Sequence, residues 1–324
     1  MANAGGDPRW AEALQQARAG ALTQYLAGGP ALIGLYQKAA AEARAVLHAA
    51  MDARRLGHRV ALPRLLLEQA AAGYLNEDQW DLLGDDWLER AFAYLTDPRP
   101  CRGALPPLTR IRPRLGTGNT KPQGEEPSYR LADYLAQHGA RTRRLICPPA
   151  EFWDAATRHA ATPADHSALA RAANARGRYR HAYNLWQRPA DRGDTAALGA
   201  QIEMRERTGD REGAEQLARA GDPALLRNLA AMREQARDQA EAERLYRAAA
   251  DVGNTAALSA LARLREQAGD QAEAERLYRA ATDAGDTWAL QALARKGGRL
   301  DTGGRWSDLL RFGLEADGRV ADPW

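Results

Sequence analysis

Apolar residues recur every third or fourth position along most of this chain, the spacing that puts them on one face of a helix. Residues 7–27 form one such stretch, which Gly28-Gly29-Pro30 breaks. A longer helix is predicted over 31–56, with Leu35, Ala39, Ala43, Val46 and Ala50 on its apolar face and Gly57 as its stop. Pro63 opens another, carrying Leu65, Leu66, Leu67 and Ala70. Asn76 is placed to cap the next helix, with acidic residues in the first turn. Trp80, Leu83, Trp87, Leu88 and Ala91 continue at helical spacing, interrupted at Gly84, as two short helices or one kinked helix ending near Leu95. Residues 1–96 are therefore read as a helical domain. Periodicity then disappears: residues 97–127 hold seven of the sixteen prolines, which predicts a linker. A connecting helix is predicted over 128–147, starting at Ser128 with Leu131, Tyr134 and Leu135 on one face.

From 148 to 296 the pattern repeats. Gln239-Ala-Glu-Ala-Glu-Arg-Leu-Tyr246 returns letter for letter as Gln271-Ala-Glu-Ala-Glu-Arg-Leu-Tyr278, 32 residues later. This spacing predicts helical hairpins that bury their apolar faces against neighbouring copies. Asp194, Asp222, Asn254 and Asp286 form one column of N-caps, each preceded by a glycine (193, 221, 253, 285) expected to be left-handed. Asp210, Asp238 and Asp270 form a second, with Glu241 and Glu273 at capping-box positions. Leu258, Leu261 and Ala262 supply the inner stripe of a first helix, and Ala242, Tyr246 and Ala249 that of a second. Leu217 to Gly221 spans four residues where Leu245 to Gly253 spans eight, a deletion of about one turn that keeps the stripe in phase. Pro189 is expected to kink or end its helix early. Residues 297–324 are read as a capping helix (Trp306, Leu309, Leu310, Leu314) and tail, with Trp288 packed under the cap. The predicted fold is all-α: an N-terminal helical domain, then a right-handed α-solenoid of about five hairpins with a C-terminal cap.

The columns Leu258, Leu261, Ala262, Gly269, Ala274, Tyr278 and Ala281 resemble the tetratricopeptide repeat, and Tyr246-Arg-Ala-Ala-Ala-Asp-Val-Gly253 is similar to its Sel-like relatives. Repeat lengths of 32 and 28, without a glycine-rich insertion, depart from the Sel-like pattern. The first unit, 148–176, keeps His166, Leu169, Ala170 and Gly177 in register. In the first half, Met51-Asp-Ala-Arg-Arg-Leu-Gly-His58, Trp80 through Tyr94 and Pro107-Leu-Thr-Arg-Ile-Arg-Pro-Arg114 resemble a segment of actinobacterial regulatory proteins. There the segment follows a P-loop ATPase of the signal-transducing STAND type. The resemblance implies a regulatory sensor or scaffold whose first-helix residues face a protein or peptide partner, and an ATPase as a possible companion. The residues in those columns are Arg171, Glu203, Arg263 and Arg295, with Glu206, Glu234 and Glu266.

Composition narrows the chemistry. Lys plus Arg number 45 against 42 Asp plus Glu, a net charge of +3 that does not by itself call for nucleic acid. A basic zone at 101–148 carries nine Arg or Lys against three acids, which leaves a DNA-linked regulator as the alternative reading; a solvated, internally paired zone is preferred. Cys101 and Cys147 form no CxxC pair, so neither a disulfide framework nor a zinc site is expected. No signal peptide or membrane span is read, and the expected compartment is cytoplasmic. Gly116-Thr-Gly-Asn-Thr-Lys121 is followed by Pro122 where a phosphate loop needs Ser or Thr and a helix. The six histidines form no HExxH, none of the four serines stands in a nucleophile elbow, and the run Glu77, Asp78, Asp81, Asp85, Asp86, Glu89 lacks calcium-loop spacing beside a Trp and Leu stripe read as core. No catalytic residue, metal site or cofactor is predicted, and the chain is read as a non-enzyme.

Overall fold

The computed structural model describes residues 29–101, 105–112 and 126–297; the predicted helix at 7–27, the Gly116–Lys121 loop and the capping helix lie outside them. The described chain is helical apart from one small sheet. It divides into two compact units, residues 1–192 and 193–324.

The first unit is built on α2 (Ala41–Arg55), preceded by α1 (Gly29–Lys38). Nine of its fifteen residues are buried, including Ala43, Ala45, Val46, Leu47, Ala49, Ala50 and Met51. A helix buried nearly all round is a core helix, and its alanines let neighbours come close. The single helix predicted over 31–56 is thus two, broken at Ala39–Ala40. Alanine favours helix, so the break comes from packing: Ala39 is buried at the turn. Helices α3 (Arg64–Ala71), α5 (Trp87–Thr96) and α6 (Asp133–Thr142) pack against α2. A Cβ at Gly139 of α6 would stand 2.7 Å from Met51, so glycine is what admits α6 to this distance. Between α3 and α5 lies the five-residue α4 (Glu77–Asp81), which Asn76 caps in a full capping box with Gln79.

The sheet corrects two expectations. The segment read as a linker supplies β2 (Leu108–Ile111), and the predicted connecting helix opens instead as β3 (Ser128–Leu131). With β1 (Leu62–Pro63) they form an antiparallel sheet in the order β1-β3-β2, pairing Leu62 with Tyr129 and Leu108 with Leu131. Tyr129 and Leu131 are buried and Arg130 is exposed, a period of two. Leu131, Tyr134 and Leu135 fit a helical period as well, which is why the pattern alone misassigns the start. The unit closes with α7 (Ala150–His159), α8 (Pro163–Asn174) and α9 (Tyr179–Asp191). Helix α9 does not stop early at Pro189: it runs on to Asp191, with the proline buried two residues before its end.

The second unit contains α10 (Thr195–Thr208), α11 (Arg211–Ala220), α12 (Pro223–Gln235), α13 (Gln239–Asp251), α14 (Thr255–Gln267), α15 (Gln271–Asp283) and α16 (Thr287–Gly297). Each packs along the next. Leu261, Ala262, Ala242, Tyr246 and Ala249 are buried where the stripes place them, and Leu258 packs against them half-buried. The caps form as read: Asp194, Asp210, Asp222, Asp238, Asn254 and Asp270 each accept from a backbone N–H of the first turn. The reciprocal half of the box at Asp238 and Asp270 is missing. Their own N–H groups donate to Arg233 and Arg265 carbonyls, closing the preceding helix, so Glu241 and Glu273 turn to Arg244 and Arg276. Helix α11 has ten residues against thirteen for α13 and α15, the expected deletion. It also changes a glycine's job. Gly193, Gly253 and Gly285 are left-handed as expected, but Gly221 is extended, and a Cβ there would meet Leu225 at 2.5 Å.

Candidate functional site

The first-helix charges named from the sequence fall on α8, α10, α12, α14 and α16, and in the second unit Glu234 and Arg263 bond to each other while Glu203, Glu206 and Glu266 are held by residues outside the named set. Glu206 of α10 accepts from Arg233 of α12 at 2.7 Å, and Glu234 of α12 accepts from Arg263 of α14 at 2.7 Å. Tyrosines of the twin octapeptides brace the same row: Tyr246 donates to Glu234 at 3.0 Å and Tyr278 to Glu266 at 3.2 Å, each across twelve residues. The result is a ladder of three carboxylates, of which Glu234 is held from both sides. Glu203 pairs along its own helix with Arg207. Arg171 lies in the first unit, exposed on α8. Arg295 belongs to α16, its side chain outside the described residues.

Arg233 is the ladder member that the column reading missed. The column that gives Arg171, Glu203, Arg263 and Arg295 has Ala231 at this repeat, and an arginine two positions on takes over the bond to the preceding helix. Its side chain is 3% exposed against 36% for Arg263, so the same bond is buried at one junction and open at the next. Arg263, then the Tyr246 hydroxyl, holds Glu234 below the usual carboxylate range; burial and Glu234 push the Tyr246 phenol up to about 12. A second seam runs between α11 and α13, where Arg244 donates to Glu215 at 2.8 Å and to Glu241. Arg244 and Arg219 hold Glu215 down to about 2.

The first unit carries a buried polar centre that the sequence did not announce. Asp52 of α2 takes both bonds of the Arg143 guanidinium, at 2.8 and 2.9 Å, and also accepts from Arg55 and from the Tyr74 hydroxyl at 2.7 Å each. Arg143 belongs to the basic zone but is spent inward. Burial alone would raise the Asp52 carboxyl; its three donors outweigh burial and hold it low. Tyr36 bonds His48 at 2.9 Å beside this centre, and burial followed by the Arg143 charge pulls the His48 pKa to about 4. A second cluster joins two ends of the unit: Asp165 of α8 accepts from the Arg59 N–H at 2.8 Å, and the buried His58 ring lies 3.9 Å away. His166 is buried with neither ring nitrogen hydrogen-bonded among the described residues. It lies near the carbonyl of Leu185, which Pro189 deprives of its helical donor. Burial and Arg188 outweigh the upward pull of the Ala160 backbone, Asp165 and the Leu185 backbone and lower the His166 pKa.

Among the described residues, no three His, Cys, Asp or Glu side chains are grouped to hold a metal ion. No described helix is long and apolar enough to cross a membrane. No family model and no curated protein matches the chain.

Proposed function

We propose that this chain is a non-enzymatic interaction scaffold, its second unit holding a polar segment of a protein partner along the first helices of its hairpins. The observation that supports the reading is the carboxylate ladder. Glu206, Glu234 and Glu266 recur at one position of successive hairpins, and Glu234 and Glu266 are fixed by a tyrosine from the same hairpin. Charges held in place before binding lose little side-chain entropy on binding, which favours a polar segment met by several weak contacts. Glu203, Arg263 and Arg295 stand beside the ladder in sequence register and extend the face. The resemblance of residues 20–145 points to a STAND-type ATPase as one class of companion.

The test is capture of partners from extract by the full chain and two variants. Charge reversal at Arg263 with Arg295 is expected to abolish capture; unchanged capture removes the face. The exchange Glu234→Arg with Arg263→Glu keeps an internal pair but inverts the pattern. Capture that survives the exchange shows that the ladder only braces the hairpins.

A further inference from the structure

Two exposed apolar patches of opposite charge lie within the first unit. One surrounds α4: Trp80 is 49% exposed and Leu82 86% exposed, and Trp80 packs edge-on against Trp87 with ring centroids 6.0 Å apart. This corrects the reading of Trp80 as core. A hollow of about 280 Å³ beside Trp80 is lined by Ala72, Leu75, Asn76, Glu77 and Asp81. Glu77, Asp78, Asp81 and Asp85 border the patch, exposed and without an ion-pair partner among the described residues. The other patch follows α6, where Leu145 is 88% and Ile146 44% exposed. Arg141 and Arg144 flank it, exposed and also without a carboxylate partner among the described residues. The turn that presents it is held in place, since Ile146 N–H donates to the Arg143 carbonyl and Arg55 donates to the Ile146 carbonyl.

We propose that the chain self-associates head to tail, the Trp80–Leu82 patch of one copy receiving the Leu145–Ile146 patch of the next. Each patch is what the other lacks: a tryptophan-walled hollow with an acidic rim, and a projecting leucine with a basic rim. Aromatic walls that bury an aliphatic anchor carry most of an interface's energy, and the rim charges speed and orient the encounter. Used head to tail, the contact is heterologous and generates a ring or an open chain of subunits.

Sedimentation velocity of the full chain tests this. The expected result is concentration-dependent association at about 50 mM salt that weakens at about 500 mM. Trp80→Ser with Leu82→Ser, and separately Arg144→Glu with Leu145→Ser, should each give a monomer. Mixed in equal amounts, the two variants should form a one-to-one dimer and nothing larger, since one intact contact remains between them. A charge-only variant, Asp81→Lys with Asp85→Lys, keeps the apolar residues and is expected to weaken association about tenfold. A chain that stays monomeric at low salt, association indifferent to these variants, or variants that do not rescue each other would overturn the proposal. So would a monomeric chain whose acidic patch captures a basic, apolar peptide, which would make the patch a docking site for another protein.

Discussion

The two units handle charge in opposite ways. The first buries it: Asp52, Arg143, Asp165, His58 and His166 lie within the interior. The second fills its interior mainly with Ala, Leu, Ile and Tyr, buries Arg233 as its one charged exception among the described residues, and places its other charges along the seams between hairpins, as in Glu234 with Arg263 and Glu215 with Arg244. The helices around Asp52 differ from one another, and a carboxylate that takes four bonds from Arg143, Arg55 and Tyr74 fixes one arrangement of them. A repeating unit solves one packing problem several times, so small residues and a common stripe are enough.

The sharpest way to break the contrast is Asp52→Ala. It strands Arg143 in the interior and should cost about 3–5 kcal/mol. Hydrogen exchange should show lost protection in peptides of α2 and α6, while those of α13 and α15 keep theirs. Equal loss in both units would mean that the two do not unfold separately.

Acid should separate the units next. The folded pKa of His48, about 4, lies below its unfolded 6.5, so below pH 6.5 protons favour the unfolded chain. The loss builds as pH falls through 4 and reaches about 3 kcal/mol. His58 and His166 shift in the same direction. In the second unit Glu215 shifts from 4.5 to about 2, so its contribution is complete above pH 4.5 and disappears as pH falls through 2. Between pH 6 and 4.5 the first unit alone should lose stability, and His48→Gln should flatten that decline.

Smaller effects sharpen the picture within the ladder. Arg233→Ala removes a buried charged bond and should cost about 2 kcal/mol; Arg263→Ala, half-exposed, should cost about 0.5 kcal/mol. Denaturant midpoints would order the two, and equal costs would show that burial does not distinguish the junctions. Comparable in size but opposite in sign, Arg237→Gly should stabilise by about 0.5 kcal/mol. Arg237 is the one non-glycine residue with positive φ (63°) among the described residues, at the column where Gly209 and Gly269 stand.

The repeats were legible because their signals are local: an Asp before a helix, a glycine after one, a stripe within thirteen residues. The Tyr246–Glu234 bond was implicit too, since its spacing of twelve recurs at Tyr278 and Glu266. The Asp52–Arg143 bond spans 91 residues and leaves no periodic trace. Trp80 was misplaced because helical spacing says which residues share a face, and α4 turns that face outward. The strand at Ser128–Leu131 was lost for want of length, four residues being too few to separate a period of two from one of 3.6.

The twin octapeptides carry a cost that a static description hides. Helices α13 and α15 bury the same residues, Ala242, Leu245, Tyr246 and Ala249 matching Ala274, Leu277, Tyr278 and Ala281. A folding chain in which α12 captures α15 instead of α13 would therefore satisfy its apolar contacts almost as well and loop out a whole hairpin. The core cannot tell these pairings apart. The charges can, because such a slip would remove α14 from its place after α12 and leave Glu234 without Arg263. Seam charges worth little as stabilisers thus act as proofreaders of hairpin order, rejecting a product that greasy contacts alone would accept.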